Sequence, residues 1–157
     1  MVVNYLELET SKSLKRMEKM KDNFLQFRVP DTHSLQRLNR NIIALKSPCD
    51  YIALYKGRMH MIECKSSRNK TSYSWRYIRP HQLTYLQATE DAGGRGWFLL
   101  NRRHNRHITC VALTPQTVQK LMDVEKSTKW VELFKLGIPI DRIQGGMWDL
   151  NPLFRTR

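Results

Sequence analysis

Residues 48–67, PCDYIALYKGRMHMIECKSS, set a Lys56-Gly57 pair between two apolar runs, and that pair fixes much of what the chain can become. A two-residue turn ending in glycine closes an antiparallel hairpin in one register, because its backbone twist matches that of the flanking strands. Counting outward from Tyr55 opposite Arg58 puts Asp50 opposite Glu63. Directly opposed residues have Cβ atoms about 4.5–5.5 Å apart. Side chains alternate along a strand, so Glu63 and Lys65 share one face while Ile62 and Cys64 take the other. A bulged turn at the same glycine would shift the pairing by one residue. In the two-residue register Asp50, Glu63 and Lys65 converge.

Two carboxylates at that separation repel unless a cation or a shared proton lies between them. A hard divalent ion answers the problem: Mg²⁺ takes oxygen ligands octahedrally and keeps several waters, and Mn²⁺ accepts the same donors. Asp50, Glu63 and the backbone carbonyl of Cys64 are the expected ligands. A water held there is acidified, and charge on a phosphate oxygen is neutralised. Lys65 is placed to orient or deprotonate that water, or to stabilise the transition state. The alternative for the same residues is a strand-end salt bridge without metal, which is worth little.

Charge points to the substrate. The chain of 157 residues carries 27 Lys and Arg against 14 Asp and Glu, a net charge of +13. Between residues 66 and 122 the only acids are Glu90 and Asp91. A surface this one-sided attracts polyanions, and counterion release from a phosphate backbone supplies the affinity. The rival is a basic nucleic-acid-binding protein without catalysis.

The length suits one domain, 1–157, with a core over about 12–125 and an extension, 126–157, of unassigned role. With no run of 18 apolar residues, no membrane association is expected. Three cysteines, Cys49, Cys64 and Cys110, are too scattered for a disulfide framework or a zinc site, so a reducing, cytoplasmic setting is expected. Apolar spacing predicts a helix over 11–28, capped by Thr10 or Ser11 and stopped by Pro30. A short strand is expected near 41–45, then the hairpin strands, 50–55 and 58–66. A basic, aromatic loop over 67–79 precedes a helix from Pro80 to about 91. Strands at 96–101 and 107–113 flank the turn RRHNR. A helix over 114–125 follows, then a short helix and an irregular tail. This order makes a mixed α/β sandwich around a central sheet.

Asp50 followed after a hairpin by Glu63-Cys64-Lys65 resembles the PD-(D/E)xK nuclease signature, and the text from 48 to 67 is most similar to the RecU-like and archaeal Hjc-like Holliday junction resolvases. Cys49 separates Pro48 from Asp50, and the Gly/Ser-rich loop of archaeal members is absent. The resemblance implies a restriction-endonuclease-like α/β fold, a central mixed β-sheet flanked by helices. It also implies a Mg²⁺-dependent endonuclease, with Mn²⁺ able to substitute, that hydrolyses four-way DNA junctions as a homodimer in a prokaryotic, archaeal or phage-infected cell. An endonuclease of restriction or repair type, acting on duplex or flap DNA, is the alternative within the same chemistry.

On the same resemblance, Glu18 on the first helix completes the metal site, with Asp22 as its substitute. Gln82 orients the water or Lys65, and His81 or Tyr85 lies near the scissile phosphate. DNA contacts are expected from Ser47, Ser66, Arg68, Lys70, Tyr73, Trp75, Arg76, Arg79 and His81, and from Arg102, Arg103 and Arg106 in the second basic turn. Tyr73 or Trp75 is the expected stacking residue, although Trp75 suits a core or dimer position equally.

Overall fold

The computed structural model describes residues 4–30 and 46–155. In chain order these form α1 (Tyr5–Met20), β1 (Phe24–Arg28), β2 (Tyr51–Tyr55), β3 (Arg58–Ser67), β4 (Ser72–Ser74) and α2 (Pro80–Asp91). Then follow β5 (Arg95–His104), β6 (His107–Leu113), α3 (Pro115–Val124), β7 (Ser127–Lys129), α4 (Trp130–Leu136), β8 (Ile138–Ile140), β9 (Arg142–Ile143) and β10 (Met147–Trp148). Short 3₁₀ turns cover Trp75–Tyr77 and Asn151–Phe154. The strand expected near 41–45 lies outside the described residues. Among the described residues no helix is long and apolar enough to cross a membrane.

Six strands form one mixed sheet in the order β1-β2-β3-β5-β6-β8, flanked by helices as expected. Only β3 and β5 run parallel, with α2 between them in sequence; the other neighbours are antiparallel. Lys56 and Gly57 both have positive φ, 49° and 75°, the geometry of the two-residue turn, and Tyr55 pairs with Arg58 through to Tyr51 with Ile62. The bulged alternative is not taken.

Alternation along β5 divides the core. Trp97 and Leu99 join Leu6, Leu14, Met17, Ile62 and Cys64 on the α1 side, whereas Phe98 and Leu100 join Leu83, Leu86, Val118 and Trp130 on the other. Gly96 lets α2 lie close against β5, because a Cβ there would come 2.7 Å from the Leu86 carbonyl oxygen.

The first helix differs from its expected position. It starts at Tyr5 behind Asn4 and ends at Met20, and its buried stripe is Leu6, Glu9, Thr10, Ser13, Leu14 and Met17. Residues 24–28, expected in the helix, are β1, paired with β2 from Phe24 opposite Tyr55 to Arg28 opposite Tyr51. Asn23, with φ 58°, makes the break. Phe24 and Leu25 fitted helical spacing, but Phe24 is buried and Leu25 and Phe27 are exposed, which is strand alternation.

The second difference is at the β5–β6 hairpin. Strand β5 continues to His104 and the turn is Asn105-Arg106, so Arg102 and Arg103 belong to a strand rather than a turn. The C-terminal residues also differ from an irregular tail. Strand β8 extends the sheet beside β6, and Trp148, Leu150, Leu153 and Phe154 are buried against α1 and β3.

A buried carboxylate fastens that segment. Glu9 accepts hydrogen bonds from Arg142 Nη2 at 3.0 Å and Trp148 Nε1 at 3.1 Å, and is ion-paired with Arg103 of β5. The Trp148 amide donates to Ser13 Oγ at 2.8 Å. Removing one partner of such a cluster leaves the rest buried and unpaired, at a cost of about 3–5 kcal/mol. Glu9→Ala should therefore lower unfolding stability by about 3 kcal/mol or more in urea titrations; a loss below about 1 kcal/mol would show that the cluster is idle.

Candidate active site

The two hairpin strands part company at their open end. Pairing of β2 with β3 stops at Tyr51 and Ile62, while β3 runs on to Ser67, so Glu63 to Ser67 border a cleft that β2 does not cover. Asp50 occupies the fork. Its amide donates to the Ile62 carbonyl at 3.1 Å, and its Oδ2 accepts from the Cys64 amide at 2.7 Å. The cleft has a volume of about 760 Å³ and is lined by Glu7, Asp50, Glu63, Cys64, Lys65 and Gln82 among others.

Glu63 is buried on the α2 side of the sheet. Its Oε1 contacts Lys65 Nζ at 2.7 Å and accepts from Gln82 Nε2 at 2.5 Å. Its Oε2 is buried and has no hydrogen-bond partner among the described residues. Gln82 is held in turn, since its Oε1 accepts from the Arg79 amide at 3.3 Å across the first turn of α2. Asp50, Glu63, Lys65 and Gln82 are thus brought together as the sequence led one to expect.

The electrostatics of the fork are strained. Burial, and then the charge of Glu63, pushes the Asp50 carboxyl up to about 7, against the Cys64 amide that favours its ionised form. Burial likewise raises Glu63 above the usual carboxylate range, opposed by Lys65. His81, at the rim, is lowered by partial burial and by Lys46, Arg79 and Lys65. The Cys64 thiol turns to the opposite face, 3.6 Å from Thr10 Oγ1, so a cation in the fork would meet oxygen atoms only.

Glu18 is not part of this site. It accepts from the Gln26 amide and Gln26 Nε2, both at 3.2 Å, and does not line the cleft. Asp22, in the turn after α1, does not line it either. The helix acid that does is Glu7, on the first turn of α1. It accepts from Asn4 Nδ2 at 2.5 Å and Arg28 Nη2 at 2.9 Å, and its charge reaches both Asp50 and Glu63. The signal for it was Asn4-x-x-Glu7, an N-cap residue followed by an acid three places on. Among the described residues no group of three His, Cys, Asp or Glu side chains stands close enough to hold a metal ion. The fork itself brings together two carboxylates, Asp50 and Glu63, with Glu7 lining the same cleft.

Of the expected DNA contacts, Ser47, Ser66, Arg68, Arg76, Arg79, His81 and Arg103 line the cleft, whereas Lys70, Arg102 and Arg106 do not. Ser47 Oγ donates to the Cys49 carbonyl at 2.8 Å. Arg103 is tied to Glu9. Tyr73 and Trp75 are corrected as stacking residues: both rings are buried, packed edge to face on one another, and Trp75 Nε1 donates to Thr128 Oγ1 at 3.0 Å. Tyr73 borders the cleft, but its hydroxyl is buried without a partner among the described residues. Lys46, Tyr5 and Tyr77 line the cleft without having been anticipated.

A sequence model of the family described as RecU, recombination protein U, matches residues 9–143. The matched span contains Asp50, Glu63, Lys65 and Gln82; Glu7 stands just before it. The Holliday junction resolvase RecU of Shouchella clausii (strain KSM-K16) is 29% identical over 92 residues, which are 58% of this chain and 44% of that protein. The match thus spans less than half the length of that relative. Among solved structures, Hjc of Archaeoglobus fulgidus, a Holliday junction resolvase from an archaeal hyperthermophile, aligns over 82% of this chain and 91% of that one, at 18% identity and a TM-score of 0.49.

The raised Asp50 carboxyl gives a test without substrate. An unfolded Asp ionises near its ordinary value of 3.8, while the folded one holds its proton to about 7. Between those limits the folded state binds more protons, so stability contributed by this group falls as pH rises and is flat above the window. In EDTA, Asp50→Asn should gain melting temperature on wild type progressively from pH 4 to pH 7, measured by calorimetry. A gap that stays constant with pH would remove the strain inferred here.

Proposed function

The chain belongs to the recombination protein U family, and from that premise we propose that it is a metal-dependent endonuclease that hydrolyses DNA phosphodiesters at four-way junctions. The observation that carries this reading is the buried Glu63 Oε2, without a hydrogen-bond partner among the described residues, beside an Asp50 that burial and Glu63 itself hold toward its protonated form. Buried acids so placed are expensive unless a cation joins them. Asp50, Glu63 and the Cys64 carbonyl would hold that ion, with Glu7 as the further carboxylate. An all-oxygen donor set suits Mg²⁺, with Mn²⁺ able to replace it. When bound, such an ion acidifies the attacking water and neutralises charge on a phosphate oxygen.

The chain's own side chains do the rest. Gln82 and Lys65 occupy Glu63 Oε1 and so leave Oε2 for the cation. Lys65 presents its ammonium to the negative charge that develops on the phosphoryl oxygens. Lys46, Arg68, Arg76 and Arg79 on the cleft walls suit the phosphate backbone, which fixes position without reading sequence. A four-way junction is two-fold symmetric, so a two-fold homodimer would present one such cleft to each of two strands. We place its work with DNA in the cytoplasm of a prokaryotic or phage-infected cell.

Cleavage of a labelled synthetic junction and of a linear duplex of equal sequence, with Mg²⁺ or EDTA, tests the proposal. Asp50→Asn and Glu63→Gln should cut about a thousandfold more slowly while still binding the junction, and Lys65→Ala should lose about 10²–10³-fold. Equal rates on junction and duplex would remove junction selectivity; cutting in EDTA would remove the metal. Glu7 and Glu18 can be compared in the same assay. Glu7→Gln should raise the Mg²⁺ concentration for half-maximal rate about tenfold or more, whereas Glu18→Gln should stay within about twofold of wild type. The reverse order would restore Glu18 to the site.

A further inference from the structure

The cleft carries two half-exposed tyrosine rings, Tyr5 and Tyr77, the second packed edge-on to the buried Tyr73 at 6.3 Å between centroids. Tyr5 is 58% exposed and Tyr77 48% exposed, yet both line the same cavity as Asp50 and Glu63. Each is backed by a guanidinium that also lines it. Arg103 lies 5.6 Å from the Tyr5 ring centroid and Arg76 lies 4.8 Å from that of Tyr77, whose hydroxyl accepts from Arg76 Nη2 at 2.7 Å. Arg103 is itself ion-paired with the buried Glu9. Tyr5 stands on the first turn of α1, beside Glu7, while Tyr77 stands on the connection into α2, before Arg79 and Gln82. One ring thus stands on the first turn of α1 and the other in the 3₁₀ turn that leads into α2. Tyr73 and Trp75, the aromatics expected to stack, are buried and unable to do so.

We propose that Tyr5 and Tyr77 are base-stacking positions that take unstacked nucleobases where a branched DNA opens, and so supply the preference for junctions over continuous duplex. This rests on the proposed DNA chemistry of the cleft and names how its substrate is chosen. A half-exposed ring beside a fixed cation offers an apolar face at low entropic cost, and stacking on any base is tolerated because every base has a π-face. In an intact duplex those faces are covered by neighbouring base pairs, so the rings gain nothing there. At a branch point, bases flanking the exchange can turn out and meet them. The surrounding arginines and lysine contact phosphate equally in both substrates, so they contribute affinity but no discrimination.

The test is equilibrium binding in Ca²⁺ or EDTA, where cleavage does not interfere, of wild type, Tyr5→Ala, Tyr77→Ala and the two Phe variants. Substrates are a four-way junction, the same junction with abasic sites flanking the crossover, and a linear duplex. Each Ala variant should lose about tenfold or more on the intact junction and less than about twofold on the duplex, with Phe restoring binding. Wild type should lose a comparable factor on the abasic junction, an arm that needs no variant to fold. Equal losses on junction and duplex, failure of Phe to restore binding, or full wild-type affinity for the abasic junction would each overturn the assignment. Wild-type cleavage in Mg²⁺ is scored separately. A protein that binds with this pattern but never cuts keeps the stacking residues and loses the nuclease, while one that cuts without the pattern does the opposite.

Discussion

Side chains along a strand repeat every two residues, so a hairpin that slips by one residue turns every side chain to the wrong face. In this protein the register of β2 on β3 is set by Lys56 and Gly57, both in the left-handed region. That register carries Asp50 to the fork beside Glu63 and sends the Cys64 thiol away behind the sheet. It also decides which face Glu63 shares with α2, and therefore whether Gln82 can reach it. Gly96 then allows α2 to come close enough for the contact to form. A turn of two residues thus governs an arrangement assembled from four separate elements.

Much of that arrangement was legible because it depends on short-range rules. The hairpin, Pro80 opening α2, and the alternating strands 96–101 and 107–113 follow from turn chemistry and period-2 patterning, and Asp50, Glu63 and Lys65 came with them, whereas Gln82 came from the family resemblance. What was misjudged depended on contacts remote in sequence. Phe24–Arg28 satisfied helical spacing as well as alternation, and only pairing with β2 decides for the strand. Starting the first helix at residue 11 rather than at Tyr5 left Glu18 as its only glutamate and Glu7 outside it. Tyr73 looked like an exposed aromatic of a basic loop and Trp75 was left open between stacking and the core, but β4 pairs with β7 and both rings join Trp130 in the core. Local composition could not reveal a partner strand more than fifty residues away.

The site is organised around incomplete compensation. Among the described residues Glu63 has one oxygen shared by Lys65 and Gln82 and one left without a partner, and Asp50 gains a single amide against the cost of burial. Such a pocket is poor as a stabilising element and good as a place for an external cation. The basic walls around it have the opposite character: they are solvated and few in acids, and so suited to long-range attraction.

The Glu9 cluster has a bearing on what counts as dispensable. The nuclease-like signature ends with α2, and every residue of the proposed chemistry precedes position 92, so a minimal version trimmed to it would look complete. Yet Arg142 and Trp148 brace the helix whose first turn bears Glu7 and Tyr5. Residues 142–148 are thus a splint for the first helix, and their loss would loosen the mouth of a cleft that no described residue after Arg103 lines.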